Sequence, residues 1–82
     1  MCDFTATAVS MAYCSCNVGG VVDTQNKNIG LTGYKIISGG CNLDGTVGAL
    51  NSTMNIGDDT WNCESENTTY NVESINIVCA NF

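Results

Sequence analysis

Cysteine is the residue type with the strongest chemical signal in this 82-residue chain. The six cysteines are Cys2, Cys14, Cys16, Cys41, Cys63 and Cys79. No two of them form the Cys-x-x-Cys pair that is typical of a structural zinc site. Six cysteines in so small a chain therefore predict three disulfides, each contributing about 2–4 kcal/mol to stability. Because disulfides persist in oxidising compartments, we expect a secreted, extracellular protein.

The Cys14-Ser15-Cys16 sequence limits how these cysteines can pair. On a strand the two thiols would share one face about 6.6 Å apart, which is near the limit for bridging each other. We therefore predict a different partner for each, and the other pairings stay open.

Half of the eight acidic residues lie in one short segment, at Asp58, Asp59, Glu64 and Glu66. Oxygen ligands of this kind could bind calcium, but the spacing matches no EF-hand loop. A carboxylate pair for glycoside hydrolysis would need a cleft that a domain this small hardly offers. The chain also lacks histidine, the usual general base and the commonest metal ligand. We therefore expect no metal, no cofactor and no catalytic residue, and hence a non-enzymatic protein.

Trp61 lies within the same segment, between Thr60 and Asn62. Its indole could stack on a sugar, contact a partner protein or pack in a thin core. Because loops on a rigid scaffold often bind partners, we predict a partner-binding surface that includes Trp61, Asp58, Asp59 and Glu64. An exposed Trp61 would favour sugar binding, whereas a buried Trp61 with an apolar patch elsewhere would favour protein recognition.

The charge of the chain restricts its partners. With a net charge of −6 and only two basic residues, Lys27 and Lys35, it cannot neutralise nucleic-acid phosphates or dock on anionic membranes. We expect a monomer that binds a host or target-cell protein or glycan. Asn51 and Asn67 begin glycosylation sequons. Residues 1 to 20 lack the features of a signal peptide, so we interpret Met1 as an expression start before a mature secreted chain.

The hydrophobic pattern predicts one domain, residues 1–82, with mixed secondary structure. Residues 4–18 alternate like a long strand, and residues 22–38 fit a helix capped by Asp23, with a strand over 34–38 as the alternative. Residues 41–56 are β-like, residues 57–73 could hold a short helix through Trp61 and Cys63, and residues 74–82 form a final strand. This order predicts an α+β fold, a disulfide-stapled split βαβ plait, with an all-β sandwich as the alternative.

The sequence also resembles a known family. Cys14-Ser15-Cys16, the glycine turn and aspartate of residues 19–23, and Gly39-Gly40-Cys41 resemble the framework of fungal small secreted proteins related to the corn-smut viral killer toxin of the KP-six type. The resemblance covers roughly residues 12–42. It implies an α/β plait with two helices on an antiparallel sheet, and a role as a killer-toxin subunit or as an effector of a plant-pathogenic fungus.

The leading functional hypothesis is therefore a secreted, non-enzymatic effector or killer-toxin-like protein that binds a host or target-cell component, in the host apoplast if it is an effector. Two alternatives are a small carbohydrate-binding module and an inhibitor of a protease or another hydrolase.

Overall fold

Seven β-strands form two sheets in the computed structural model, which describes residues 1–17, 24–43, 50–57, 59–65 and 71–81. The strands are β1 (Cys2–Asp3), β2 (Met11–Ser15), β3 (Asn26–Asn28), β4 (Lys35–Leu43), β5 (Leu50–Ile56), β6 (Thr60–Ser65) and β7 (Val72–Ala80). The first sheet has the order β1-β7-β4 and the second the order β3-β2-β6-β5. Neighbouring strands are antiparallel except β2 and β3, which are parallel.

The predicted α+β plait is wrong, and the described part of the chain fits the all-β alternative. It contains no helix. Within the helix predicted over 22–38, the described residues form β3, a glycine-containing turn and the start of β4. Gly30 and Gly33 take φ values of 77° and 88°, which a right-handed helix does not allow. The predicted cap, Asp23, lies outside the described residues.

The predicted first strand, residues 4–18, is much shorter in the structure. Only Met11–Ser15 forms β2, in which Ala12 and Cys14 are buried as the alternation predicts. Upstream, the Thr7 N–H donates to the Phe4 carbonyl oxygen at 2.9 Å and closes a turn. Residue 18 lies outside the described residues.

The second half of the chain follows the β predictions more closely. Where the β-like residues 41–56 are described, they correspond to the end of β4 and to β5, and residues 44–49 lie outside the description. The final strand begins at residue 72 instead of 74 and ends at residue 80, and residue 82 is not described. The short helix predicted through Trp61 and Cys63 is wrong, because both residues lie in β6. Within the described residues, no helix is long and apolar enough to cross a membrane.

All three disulfides join one sheet to the other. Cys2 in β1 bridges Cys14 in β2, and Cys41 in β4 bridges Cys63 in β6. Cys16, directly after β2, bridges Cys79 in β7. The prediction that all six cysteines are bridged, and that Cys14 and Cys16 have different partners, is confirmed.

The core between the two sheets is small and includes disulfide sulfur. Its buried members are Cys2, Phe4, Val9, Ala12, Cys14, Cys63, Val72 and Ile75. Because little aliphatic surface is available for burial, the three cross-links are a major part of what holds the sheets together. Multiple disulfides of this kind are typical of extracellular proteins.

Candidate functional site

Trp61 is part of the packing between the sheets. Its indole lies against the backbone of Gly39 in β4, so closely that a Cβ on Gly39 would be 2.5 Å from the ring. The side chain is half-buried and packs against the core. Its Nε1 is buried and has no hydrogen-bond partner within the described residues. The indole face therefore serves as a spacer between the sheets, and its predicted role in partner binding remains a prediction.

Asp59 is the centre of a hydrogen-bonded cluster, which we call the Asp59 cluster: Ser15, Asn17, Asp59 and Thr60. Asn17 Nδ2 donates to Asp59 Oδ2 at 2.8 Å, Ser15 Oγ donates to the same oxygen at 3.3 Å, and Thr60 Oγ1 donates to Oδ1 at 3.1 Å. The bond from Asn17 is the main cause that lowers the pKa of the Asp59 carboxyl below its ordinary value, against the opposing effect of burial. The carboxylate is therefore already bound by its own neighbours.

Asn17 extends this cluster to the turn before β4. Its side chain donates to the Tyr34 carbonyl oxygen at 3.1 Å and accepts from the Tyr34 N–H at 3.1 Å. The Cys16 N–H donates to the Asp59 carbonyl oxygen at 2.8 Å. The cluster thus ties three chain segments together beside the Cys16–Cys79 disulfide, which is a structural role.

Of the other predicted site residues, only Glu64 has a described side chain. Glu64 is half-buried in β6 and pairs across the strands with Met11. Asp58, Glu66 and Asn67 lie outside the described residues, and Asn51 lies in β5. Among the described residues, no group of three His, Cys, Asp or Glu side chains has the geometry to hold a metal ion.

A cavity of about 300 Å³ lies on another part of the molecule, between the segment that follows β1 and the start of β7. We call it the N-terminal cavity, and its lining residues are Phe4, Thr5, Ala8, Asn71, Val72 and Glu73. Phe4 and Val72 are buried core residues, whereas Thr5 and Glu73 are exposed. The accessible lining therefore consists of hydroxyl, amide and carboxylate groups and the methyl group of Ala8, with the two core residues beneath it.

The turn that forms one wall of this cavity is fixed by Asp3. Its Oδ1 accepts the Thr5 N–H at 2.9 Å and the Thr5 hydroxyl at 2.8 Å. These two bonds, the backbone bond first, lower the pKa of the Asp3 carboxyl below its ordinary value. The Thr5 hydroxyl is thereby held in one orientation at the rim.

Two irregularities of the backbone meet at the N-terminal cavity. Asn42 pairs with Ser74 and Leu43 with Val72, so the β4–β7 register passes over Glu73 and leaves it in a bulge. Ala8 has a φ of 53°, a left-handed conformation that is costly for a residue other than glycine. Bulges and left-handed residues of this kind concentrate at functional sites, where they reorient side chains.

A neighbouring lysine supports the cavity from outside its lining. Lys27 Nζ donates to the Asp3 carbonyl oxygen at 2.6 Å and lies 5.2 Å from the centroid of the Phe4 ring. The cation and the aromatic ring attract each other, so Lys27 holds β3 against the turn that carries Thr5. Lys27 has a structural task at this wall and is not one of the cavity-lining residues.

Sequence reasoning missed this cavity. One signal was available: Asp3-Phe4-Thr5 has the spacing of a turn in which an aspartate side chain accepts from the backbone two residues later. Neither the bulge at Glu73 nor the backbone of Ala8 has a comparable sequence signal, because each depends on pairing with distant strands.

No protein-family model matches this chain, and neither the curated proteins nor the solved structures include one with significant similarity to it. The geometry of the chain itself is therefore the basis for assigning a function.

Proposed function

We propose that this protein is a small extracellular carbohydrate-binding module that holds a sugar unit in the N-terminal cavity and performs no chemistry on it. The observation that supports this function is the lining itself: hydroxyl, amide and carboxylate side chains stand beside the exposed methyl group of Ala8 in a cavity of about 300 Å³, above the buried side chains of Phe4 and Val72. That volume is at the lower end of the range for ligand sites, about 300–1,000 Å³. It suits a single sugar unit or the end of a chain.

The chemistry of sugars fits this lining. A pyranose has hydroxyl groups around its edge and C–H bonds on its faces, so a site for it needs polar groups beside apolar surface. Asn71 can both donate and accept, and the Glu73 carboxylate accepts. The exposed methyl group of Ala8 supplies apolar surface beside them.

The scaffold supports recognition by a preformed site. The Cys2–Cys14 disulfide fixes β1 next to the turn, and the Phe4 N–H donates to the Glu73 carbonyl oxygen at 2.8 Å across the cavity wall. A site held by cross-links and backbone bonds loses little conformational entropy when it binds. Binding could therefore be selective even though the contact area is small.

The test is a panel of neutral, amino and acidic mono- and oligosaccharides, measured by ligand-observed NMR and calorimetry with the unmodified protein and two variants. Asn71→Ala removes the amide at the cavity. Asn76→Ala is the matched control, because Asn76 is an exposed asparagine farther along the same strand region and is not a lining residue. We expect one sugar class to bind, with at least about tenfold weaker binding by Asn71→Ala and no change in Asn76→Ala.

Absence of binding to every sugar in the panel would overturn the proposed function. Equal weakening by both variants would show that the sugar binds elsewhere. Melting curves of both variants separate lost binding from lost fold.

A second candidate is recognition of another protein, as an effector, a killer-toxin-like protein or a hydrolase inhibitor would need. Two observations favour it. Trp61 packs inward with its Nε1 buried, and two large aliphatic side chains in paired strands, Ile37 and Val78, are 56% and 52% exposed, which together meet the criterion for protein recognition given above. Their neighbours Ser38 and Asn76 are uncharged, so the partner would present an apolar patch with a neutral polar rim. The saccharide panel distinguishes the two candidates, because a protein that recognises only another protein would bind no sugar even in its unmodified form.

A further inference from the structure

The hydrogen-bonding groups at the N-terminal cavity are unequally divided between donors and acceptors. The Thr5 hydroxyl uses its single hydrogen to donate to Asp3 Oδ1, so at the cavity rim this hydroxyl can only accept. An ionised Glu73 carboxylate likewise has only acceptor capacity. Of the polar side chains among the described lining residues, Asn71 alone supplies donors. The complementary ligand is therefore rich in hydrogen-bond donors.

The charge of the lining has one sign. Glu73 is the charged residue of the lining, and the whole chain has a net charge of −6. Lys27, the cation near this wall, donates to the Asp3 carbonyl oxygen, and its charge offsets that of Asp3. A sugar with a carboxylate or sulfate group would meet repulsion at Glu73, whereas a cationic sugar would form a charge-assisted hydrogen bond there.

The lining has an excess of hydrogen-bond acceptors and a negative charge at Glu73. We therefore infer that the sugar unit held in the N-terminal cavity is an amino sugar with a free ammonium group, whose N–H groups donate to the Glu73 carboxylate. This inference rests on the proposed function and specifies its ligand. Glu73 is exposed between the buried residues Val72 and Ser74, at the position that the β4–β7 register passes over, so its carboxylate can meet a ligand from solvent.

The test compares sugars that differ at one position. Glucosamine, N-acetylglucosamine and glucose have an ammonium, an acetamide and a hydroxyl group at the same carbon, and the galactose series repeats the comparison with a different ring hydroxyl. We expect the ammonium sugar of at least one series to bind about tenfold more tightly than its two counterparts, which is the usual advantage of a hydrogen bond to a charged group. The preference should shrink as salt is added, because the cavity is open to solvent.

Two variants show where the preference arises. Glu73→Gln keeps the shape of the side chain and removes its charge, and we expect the three sugars of a series to bind alike. Glu64→Gln changes the net charge by the same amount in β6 and should keep the preference. This control distinguishes a bond at the cavity from general attraction of cations to an acidic protein.

Each outcome decides one claim. Tighter binding of the acetamide or hydroxyl sugar, or a preference that Glu73→Gln retains, overturns the amino-sugar inference and leaves the proposed function standing. Absence of binding by all these sugars and by the wider panel overturns the proposed function itself.

Discussion

The Asp59 cluster and the N-terminal cavity are both built around an aspartate with a lowered pKa, yet they use their polar groups in opposite ways. In the Asp59 cluster, the side chains of Ser15, Asn17 and Thr60 all donate to the same carboxylate. At the N-terminal cavity, Asp3 fixes only the turn, and Thr5 lies on an open volume. The first arrangement stabilises the fold, whereas the second leaves polar groups available to a ligand.

This difference shows why composition alone did not point to the N-terminal cavity. The segment with the most acidic residues and the single tryptophan is the more notable in sequence. In the structure, Asp59 accepts hydrogen bonds from Ser15, Asn17 and Thr60, and the indole packs on Gly39. A binding site needs unsatisfied polar groups beside open space, and sequence does not show which groups are already paired.

The largest expected effect concerns the packing of Trp61. Gly39→Ala places a Cβ 2.5 Å from the indole, so the Trp61 side chain or one of the two sheets has to shift. We expect a loss of about 1–3 kcal/mol in the free energy of unfolding, which lowers the melting temperature by roughly 5–20 °C in a domain of this size. Sugar affinity, measured where both proteins are folded, should not change.

Gly40→Ala is the matched control, because no heavy atom lies within 4 Å of a Cβ at the neighbouring position. Its melting temperature should stay near that of the unmodified protein. Equal melting temperatures for both variants would contradict the assignment of Trp61 to the interior. A loss of sugar binding in Gly39→Ala but not in Gly40→Ala would indicate that Trp61 is part of the binding surface.

Replacement of Asp59 or Asp3 should have smaller effects, and the two variants should differ in which property changes. Asp59→Ala removes three side-chain hydrogen bonds from a half-buried carboxylate, and we expect a loss of about 1–2 kcal/mol at neutral pH with sugar affinity unchanged. Asp3→Ala releases Thr5 at an exposed turn, so it should weaken sugar binding and have the smaller effect on melting.

The pH dependence of melting tests the same assignment. Because the folded-state pKa of Asp59 is lower than its unfolded value, its contribution is complete above the ordinary carboxyl pKa and is lost as the pH falls through the folded value. The difference in stability between the unmodified protein and Asp59→Ala should therefore shrink in strong acid. A difference that is constant from neutral to strongly acidic pH would contradict the role of the carboxylate charge.

Part of the fold could be predicted, because the exclusion of a Cys14–Cys16 disulfide and the alternation of buried and exposed residues in a strand both depend on local spacing. The separate partners of Cys14 and Cys16 followed from strand geometry, and the burial of Ala12 and Cys14 followed from their parity. The helix predicted over 22–38 is wrong partly because the adjacent apolar residues Ile36 and Ile37 lie in β4, where the register passes over Ile37 and shifts the alternation. A bulge converts a period of two into a spacing that resembles a helix.

The site could be predicted to a lesser extent. Its residues come from the N-terminal turn and from the start of β7, and only strand pairing brings these segments together. The Phe4–Glu73 backbone bond and the Val9–Val72 bridge join residues more than sixty positions apart. Local sequence patterns carry no information on contacts of this range.

The most direct test of the N-terminal cavity is an NMR titration of the uniformly ¹⁵N-labelled protein with the sugar that binds most tightly. We predict that the largest amide shifts occur at Thr5, Ala8, Asn71 and Glu73, while the amides of Asn17, Asp59 and Trp61 change little. Shifts concentrated at Asp59 and Trp61, with the cavity-lining amides unchanged, would contradict the account.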